Sequence, residues 1–365
     1  MLRAAAILFF TFCTQGALAQ ALSTSVGNFE LIEMAGGLDT PWAVGILPDD
    51  SFLVTERDGN LLYVKDGEAK AISGVPKVAA SGQGGLLDVT VSRDFNQSRE
   101  VFLTFSKPQK GGAGTAVAVA RLSKNGTRLT NLRVIFEAYP GGSGGRHFGS
   151  RVVEANDGTL FVTIGDRGDA PQAQDRSNAL GSVIRINRDG SVPSDNPFIG
   201  QADIRPEIWT YGHRNPQGAD LDARGRLWVS EHGARGGDEV NLVKPGANYG
   251  WPVISYGTHY SGEKIGEGTS KPGMEQPRLY WDPSIAPSGL MVYSGDMFPE
   301  WRGDIFVGSL KFDYIARLSG DPLREVEQIK GPETERVRDI VQAPDGAIWF
   351  ISVGQGAVYR MSVKQ

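Results

Sequence analysis

The chain has 365 residues, a formal net charge of -5 and one cysteine. The acidic balance argues against a nucleic-acid partner, which needs a basic face. The length allows two average domains or one large β fold, since barrels and propellers run long.

The first predicted element is a signal peptide over residues 1–19. Arg3 supplies a short positive start, residues 4–12 an apolar run, and Ala17, Leu18 and Ala19 a small-x-small cleavage pattern. The run is shorter than the roughly 20 residues of a bilayer span, so cleavage after Ala19 is expected in place of a retained anchor. Cleavage removes Cys13, which leaves no thiol for a disulfide, a zinc–thiolate site or a nucleophile. A cysteine-free exported chain suits the periplasm or the exterior. No later stretch is long and apolar enough to cross a membrane.

From residue 20 onward, short apolar runs bounded by Gly, Asp, Asn and Pro dominate, and these read as strands joined by tight turns. The 48 glycines and 20 prolines are spread along the chain and not pooled in a linker. One pattern recurs, a turn followed by apolar residues centred on an aromatic. Its copies carry Phe52, Phe102, Phe161, Trp228, Phe306 and Trp349. Their spacing is near the roughly 40 to 50 residues of propeller blades, with room for insertions. Six copies predict an all-β, six-bladed β-propeller over residues 20–365. The competing reading is a β-sandwich with aromatic strands, which lacks a reason for the longer period. In a propeller the loops at one end converge on the axis, where the chemistry is expected.

Two formal motif matches fail on context. Gly141-Gly142-Ser143-Gly144-Gly145 has nucleophile-elbow spacing but no helix after it. Asp220, Asp222, Gly225 and Glu231 have calcium-loop spacing, but Arg224 occupies a ligand position and no helices flank it. Of the four histidines, none forms a short zinc-ligand pair. His147 stands out within Gly144-Gly145-Arg146-His147-Phe148-Gly149, where glycines allow a ligand to approach and imidazole is the usual base near neutral pH. The run Gly212-His213-Arg214-Asn215-Pro216-Gln217-Gly218 sets a guanidinium beside amide donors, as a carboxylate-bearing ligand requires. Ser230-Glu231-His232-Gly233-Ala234-Arg235-Gly236-Gly237-Asp238-Glu239 follows. Later come Lys311, after a strand, and Arg336 with Arg338. Two apart on a strand, these arginines face the same way and can meet one anion; a solvated strand face is the alternative.

At these residues the chain resembles the soluble quinoprotein glucose and aldose sugar dehydrogenases. The resemblance runs from Asp39-Thr40-Pro41-Trp42 almost to the C-terminus. It includes Gly82-Gln83-Gly84-Gly85-Leu86-Leu87, Thr163-Ile164-Gly165-Asp166, the Tyr211 to Gly218 run, Asn248-Tyr249-Gly250-Trp251-Pro252, Ala286-Pro287-Ser288 and Arg336-Val337-Arg338-Asp339. The resemblance implies a six-bladed propeller that binds pyrroloquinoline quinone (PQQ) and calcium. It implies that His147 is the general base and that Arg214 also stabilises a developing oxyanion. Gln83, Arg214, Asn215, Lys311, Arg336 and Arg338 match positions that hold PQQ, and Tyr260 matches a cofactor-contacting tyrosine of the aldose branch. Gly233 and Ala234 match backbone carbonyls that ligate the active-site calcium; Glu239 and Tyr249 match a second, structural calcium site.

Departures from the glucose branch favour the aldose branch. An acidic residue before the base is here Arg146, and a tryptophan–threonine pair before Ala286 is here Asp282 and Ser284, with Trp281 shifted by one. The implied reaction is oxidation of an aldose at C1 to a lactone, with electrons passed to an acceptor such as a quinone or cytochrome. Two other classes stand beside it. One is a non-enzymatic propeller binding a glycan or protein; the other is a calcium-dependent lactonase, which needs acidic metal ligands at the axis.

Overall fold

In the computed structural model, which describes residues 20–25 and 27–364, all six copies of the aromatic repeat fall in the second strand of a blade. The signal-peptide reading falls on residues 1–19, outside the described residues. Six antiparallel sheets form, five with four strands and one with five. Helix is limited to Phe95–Ser98 and three short 3-10 turns among the described residues.

The inner strands of blades 1 to 6 are Pro41–Ile46, Leu86–Val91, Gly149–Glu154, Pro216–Leu221, Pro287–Val292 and Val337–Gln342. Each packs beside the next, and the sixth beside the first, so they ring an axis. The ring is closed by both chain ends. Gly27–Ala35 pairs with Ala357–Val363, and Gln20–Thr24 adds the outermost strand of blade 6.

The second strands read as apolar runs because neighbouring blades cover both faces. Phe52–Glu56, Leu160–Ile164, Ile305–Ser309 and Ile348–Ser352 are buried throughout. The core is accordingly divided into six clusters, one per blade interface, as with Phe306 and Phe350 between blades 5 and 6. Truncating either phenylalanine to alanine costs about 3–5 kcal/mol by cavity arguments.

A second device locks alternate blades. Asp88, Asp220 and Asp339, on inner strands 2, 4 and 6, accept the backbone N–H of Val152, Val292 and Val44 on strands 3, 5 and 1, at 2.7, 2.8 and 3.0 Å. Arg151 bridges Asp88 and Asp339 at 2.8 and 2.9 Å.

Every inner strand also carries a register shift near its start, where it pairs with the second strand. Bulges of this kind re-aim side chains and collect beside functional sites. The same edge has unusual backbone. Thr40, Ala286 and Arg336 enter their strands at φ 49, 54 and 53°, and His147 sits at 57°.

Candidate functional site at the strand-entry end of the propeller

In an antiparallel blade the start of the inner strand and the end of the second strand lie on one edge. Gln83, His147, Arg214, Asn215, Arg336 and Arg338 stand at or just before inner strands. Gly233, Ala234 and Lys311 stand just after second strands. Residues from five blades thus meet one end of the ring.

His147 is held from two sides. Its backbone N–H donates to Gln83 Oε1 at 2.7 Å, and Gln83 N–H donates to Gly145 O at 2.6 Å. The two glycine loops press so closely that a Cβ on Gly82 would lie 2.2 Å from Gly145 O. The His147 ring Nδ1 lies 2.6 Å from Asp166 Oδ1, and Asp166 is only 1% exposed. A carboxylate there accepts a hydrogen bond from Nδ1–H and leaves Nε2 with its lone pair. Burial pulls the His147 pKa below the ordinary imidazole value; Asp166 opposes this, while Arg214 and Arg146 add to it. The imidazole is therefore neutral and oriented.

Arg214 is positioned through its backbone, whose N–H donates to Glu231 Oε2 at 2.8 Å. Glu231 Oε1 faces His213 Nδ1 at 2.8 Å and accepts from Asn241 Nδ2 at 3.0 Å. The guanidinium donates to His232 O at 3.3 Å and lies 5.2 Å from the Trp251 ring centroid. Asn215 Oδ1 accepts from Gly149 N–H at 3.1 Å. Arg214 Nε, Asn215 Nδ2 and His232 Nε2 are all buried without a partner. Such atoms are costly unless something polar meets them.

Arg338 donates to Gln217 Oε1 at 2.7 Å, with its guanidinium 5.7 Å from the Trp42 ring centroid. Burial, with Arg336, Arg151 and Arg57 close by, pulls its pKa down to about 9. An anion would relieve that crowding of positive charge. The same-strand argument for Arg336 does not hold. Arg336 precedes the strand at φ 53°, and the register shifts between Val337 and Asp339. It stays near Arg338 through a turn and donates to Leu310 O at 3.0 Å. Lys311 is exposed and has no ion-pair partner among the described residues, with its Nζ 4.9 Å from the Phe312 ring centroid. Tyr260 is 76% exposed and makes no hydrogen bond or ring contact among the described residues.

The carbonyls of Gly233 and Ala234 accept no hydrogen bond among the described residues, which suits oxygen ligation of a hard cation. Asp238 shapes their loop, accepting from Gly233 N–H at 2.8 Å, Ser284 Oγ at 2.7 Å and Ala286 N–H at 3.0 Å. Glu239 is half-buried beside Glu231, and burial and that neighbouring carboxylate both push its carboxyl up. Its Oε2 accepts from Asn241 Nδ2 at 3.1 Å and its Oε1 has no partner among the described residues. A cation would offset that pair of carboxylates. The Tyr249 hydroxyl is committed, donating to Leu242 O at 2.7 Å and accepting from Lys244 N–H at 3.0 Å, so only its backbone carbonyl is free to ligate. Among the described residues no group of three or more His, Cys, Asp or Glu side chains is placed to hold a metal. Nor is any helix among them long and apolar enough to cross a membrane.

Sequence reasoning assigned no role to Asp166, Trp251, His232 or Gln217, although all four lie in its motifs. Their signal is contact across blades, which spacing does not carry. Trp281 is buried, with its indole N–H donating to Glu325 Oε2 at 2.6 Å between blades 4 and 5. It does not stand in for the glucose-branch tryptophan at the cofactor.

The Glucose / Sorbosone dehydrogenase family profile matches residues 38–360. The aldose sugar dehydrogenase YliI of Escherichia coli is 42% identical over 349 residues, 93% of each chain. The crystal structure of the soluble aldose sugar dehydrogenase from Escherichia coli in its apo form superposes with a TM-score of 0.88 at 39% identity, over 92% of this chain and 100% of that one. The PQQ-bound aldose sugar dehydrogenase of Streptomyces coelicolor superposes with a TM-score of 0.77 at 25% identity, over 92% and 98%.

Proposed function

The chain belongs to the glucose/sorbosone dehydrogenase family, and from that membership we propose that it is a PQQ- and calcium-dependent aldose sugar dehydrogenase. It would oxidise the C1 hydroxyl of a cyclic aldose to a lactone. The observation that carries this reading is a neutral, carboxylate-oriented His147 on the same edge as unpartnered Arg214 Nε and Asn215 Nδ2. A module that only binds a glycan has no use for a base so arranged.

The residues present fit the cofactor. PQQ carries three carboxylates, and Arg336, Arg338 and Lys311 supply three cations; Arg214 and Asn215 add buried donors. Gln83 stands beside them, with its carbonyl already holding the base's backbone. Gly233 and Ala234 would offer carbonyls to calcium. When bound, PQQ supplies the quinone that takes a hydride from the sugar C1, and calcium supplies Lewis-acid polarisation. His147 Nε2 takes the proton of the anomeric hydroxyl as the C1–H bond breaks, and the imidazolium is stabilised by Asp166. Arg214 offsets negative charge developing on the sugar oxygen. Tyr260, on the exposed loop of blade 4, is proposed to complete the cofactor's contacts.

Arg146 lies beside the base, where the glucose branch has an acid, so we read the substrate as aldoses broadly and not glucose alone. Export through a cleaved segment at residues 1–19 and transfer of electrons to a quinone or cytochrome complete the reading. The test is reconstitution of the cofactor-free protein with PQQ and calcium, then dye reduction with a panel of aldoses. Sugar-dependent reduction that requires both additions is expected. A reconstituted protein that reduces no dye with any sugar would overturn the proposal.

A further inference from the structure

We propose that Trp251 is a positioning residue that ties the orientation of the base His147 to the placement of the cation Arg214. The inference rests on the function proposed above and extends it to a side chain that touches neither the sugar nor the reacting atoms in that scheme.

Asp166 is the meeting point. Its Oδ1 faces His147 Nδ1 at 2.6 Å and accepts from Gly168 N–H at 2.7 Å. Its Oδ2 accepts one hydrogen bond, from the indole Nε1–H of Trp251 at 2.8 Å. The other face of the same relationship is the Arg214 guanidinium, 5.2 Å from the Trp251 ring centroid. Asp166 N–H also donates to Arg214 O at 2.9 Å. One indole thus holds the carboxylate by its edge and the guanidinium by its face. These are the two attractive interactions an indole offers, a donor N–H and a negative π surface.

The indole is itself seated. Trp251 N–H donates to Gly212 O at 2.9 Å, and Gln174 Nε2 donates to Trp251 O at 2.7 Å. The Gln174 and Asn248 amides exchange a reciprocal pair of hydrogen bonds at 3.0 and 2.8 Å. Trp251 lies in the long connection of blade 4, after Asp238–Leu242, while Asp166 follows the second strand of blade 3. The contact therefore joins two blades.

Removing only the N–H leaves Asp166 with one donor fewer on Oδ2. More of its negative charge is then available to the His147 imidazolium, which favours the protonated base. The charged and titratable groups around His147 are Asp166, Arg146, Arg214, His232 and Arg167, and only the first of these loses a partner in the substitution. Removing the ring as well frees the Arg214 guanidinium.

The decisive measurement needs no cofactor. The His147 ring proton is titrated by NMR in the PQQ-free protein, assigned with His147→Gln, in the wild type and in Trp251→Phe. The midpoint is expected to rise by about one pH unit in Trp251→Phe. An unmoved midpoint in a folded Trp251→Phe overturns the inference. Trp251→Tyr is the second ring-retaining variant if the first does not fold. Calorimetric titration of PQQ supplies an independent arm. Trp251→Phe should bind within about twofold of wild type, and Trp251→Ala about fivefold to tenfold more weakly; equal affinities in all three also overturn it. If the wild type reduces no dye with sugar yet the His147 midpoint moves, the function reading fails and the positioning role stands.

Discussion

The 2.6 Å contact between His147 Nδ1 and Asp166 Oδ1 puts the proton of a neutral imidazole on the side away from a substrate. It also places a buried carboxylate where a positive imidazole would need it. In the proposed reaction both residues then act in one step. His147→Ala should bind PQQ with near wild-type affinity and lose about a hundredfold to ten-thousandfold in kcat. Asp166→Asn should fall in the same range, because an amide favours the wrong tautomer. Stopped-flow reduction of the bound cofactor by sugar checks both, and unchanged rates in either variant would remove that residue from the step.

The pH dependence has a definite sign. Burial first, then Arg214 and Arg146, hold the His147 pKa below its ordinary 6.5. The reactive form is the neutral ring, so kcat/KM should stay level as pH falls through 6.5 and decline only in more acidic solution. An acid limb with its midpoint above 6.5 would contradict the environment described for the base.

Arg338 separates binding from chemistry. It is half-buried beside Arg336, Arg151 and Arg57, so a carboxylate of the proposed cofactor would relieve that crowding of positive charge. A charge-assisted hydrogen bond contributes roughly 1.5 to 3 kcal/mol. Arg338→Ala should therefore weaken PQQ by about tenfold to a hundredfold, while kcat at saturating cofactor changes little. Titrating PQQ into both proteins decides it, and equal affinities would count against the assignment.

The blades were legible because of where their strands lie. Phe52, Phe161, Phe306 and Trp349 recur in strands covered on both faces, and such strands leave continuous apolar runs in the sequence. The join between Gly27–Ala35 and Ala357–Val363 was not legible, because pairing between chain ends leaves no local pattern. His147 and Arg214 could be singled out from glycines and clustered donors. Asp166 and Trp251 could not be given roles, since each works through a residue on another blade or loop. Arg336 was misread as a strand residue because a positive φ at an arginine has no sequence signal.

The inter-blade lock predicts a stability signature away from the site. Burial pushes the Asp220 carboxyl up to about 6 from 3.8, against the backbone N–H groups of Val292 and Leu221. The folded state then holds a proton that the unfolded chain releases between those values. The contribution of this group is fully present below about pH 4 and is lost as pH rises through 6, by on the order of 2–3 kcal/mol. The wild type should thus exceed Asp220→Asn in melting temperature by more at pH 4.5 than at pH 7.5. A gap that is constant or widens with pH would show that Asp220 does not titrate as its burial requires.

Calcium should act at two sites of different kind. Gly233 and Ala234 offer only neutral carbonyls, so an ion there depends on the cofactor's oxygens to fill its shell. Glu239 offers a half-buried carboxylate on the strand Asp238–Leu242, beside Glu231, whose oxygens already serve His213, Arg214 and Asn241. An ion at Glu239 therefore gains a carboxylate ligand before PQQ arrives, by displacing the proton that burial and Glu231 favour there. Because it would bind the folded chain and not the unfolded one, it raises stability by mass action, about 2.7 kcal/mol at a hundred times its Kd. Calcium should raise the melting temperature of the PQQ-free wild type, and Glu239→Gln should abolish that shift while keeping PQQ-dependent activity at high calcium. A shift that survives in Glu239→Gln, or that needs PQQ to appear, would show that Glu239 is no metal ligand.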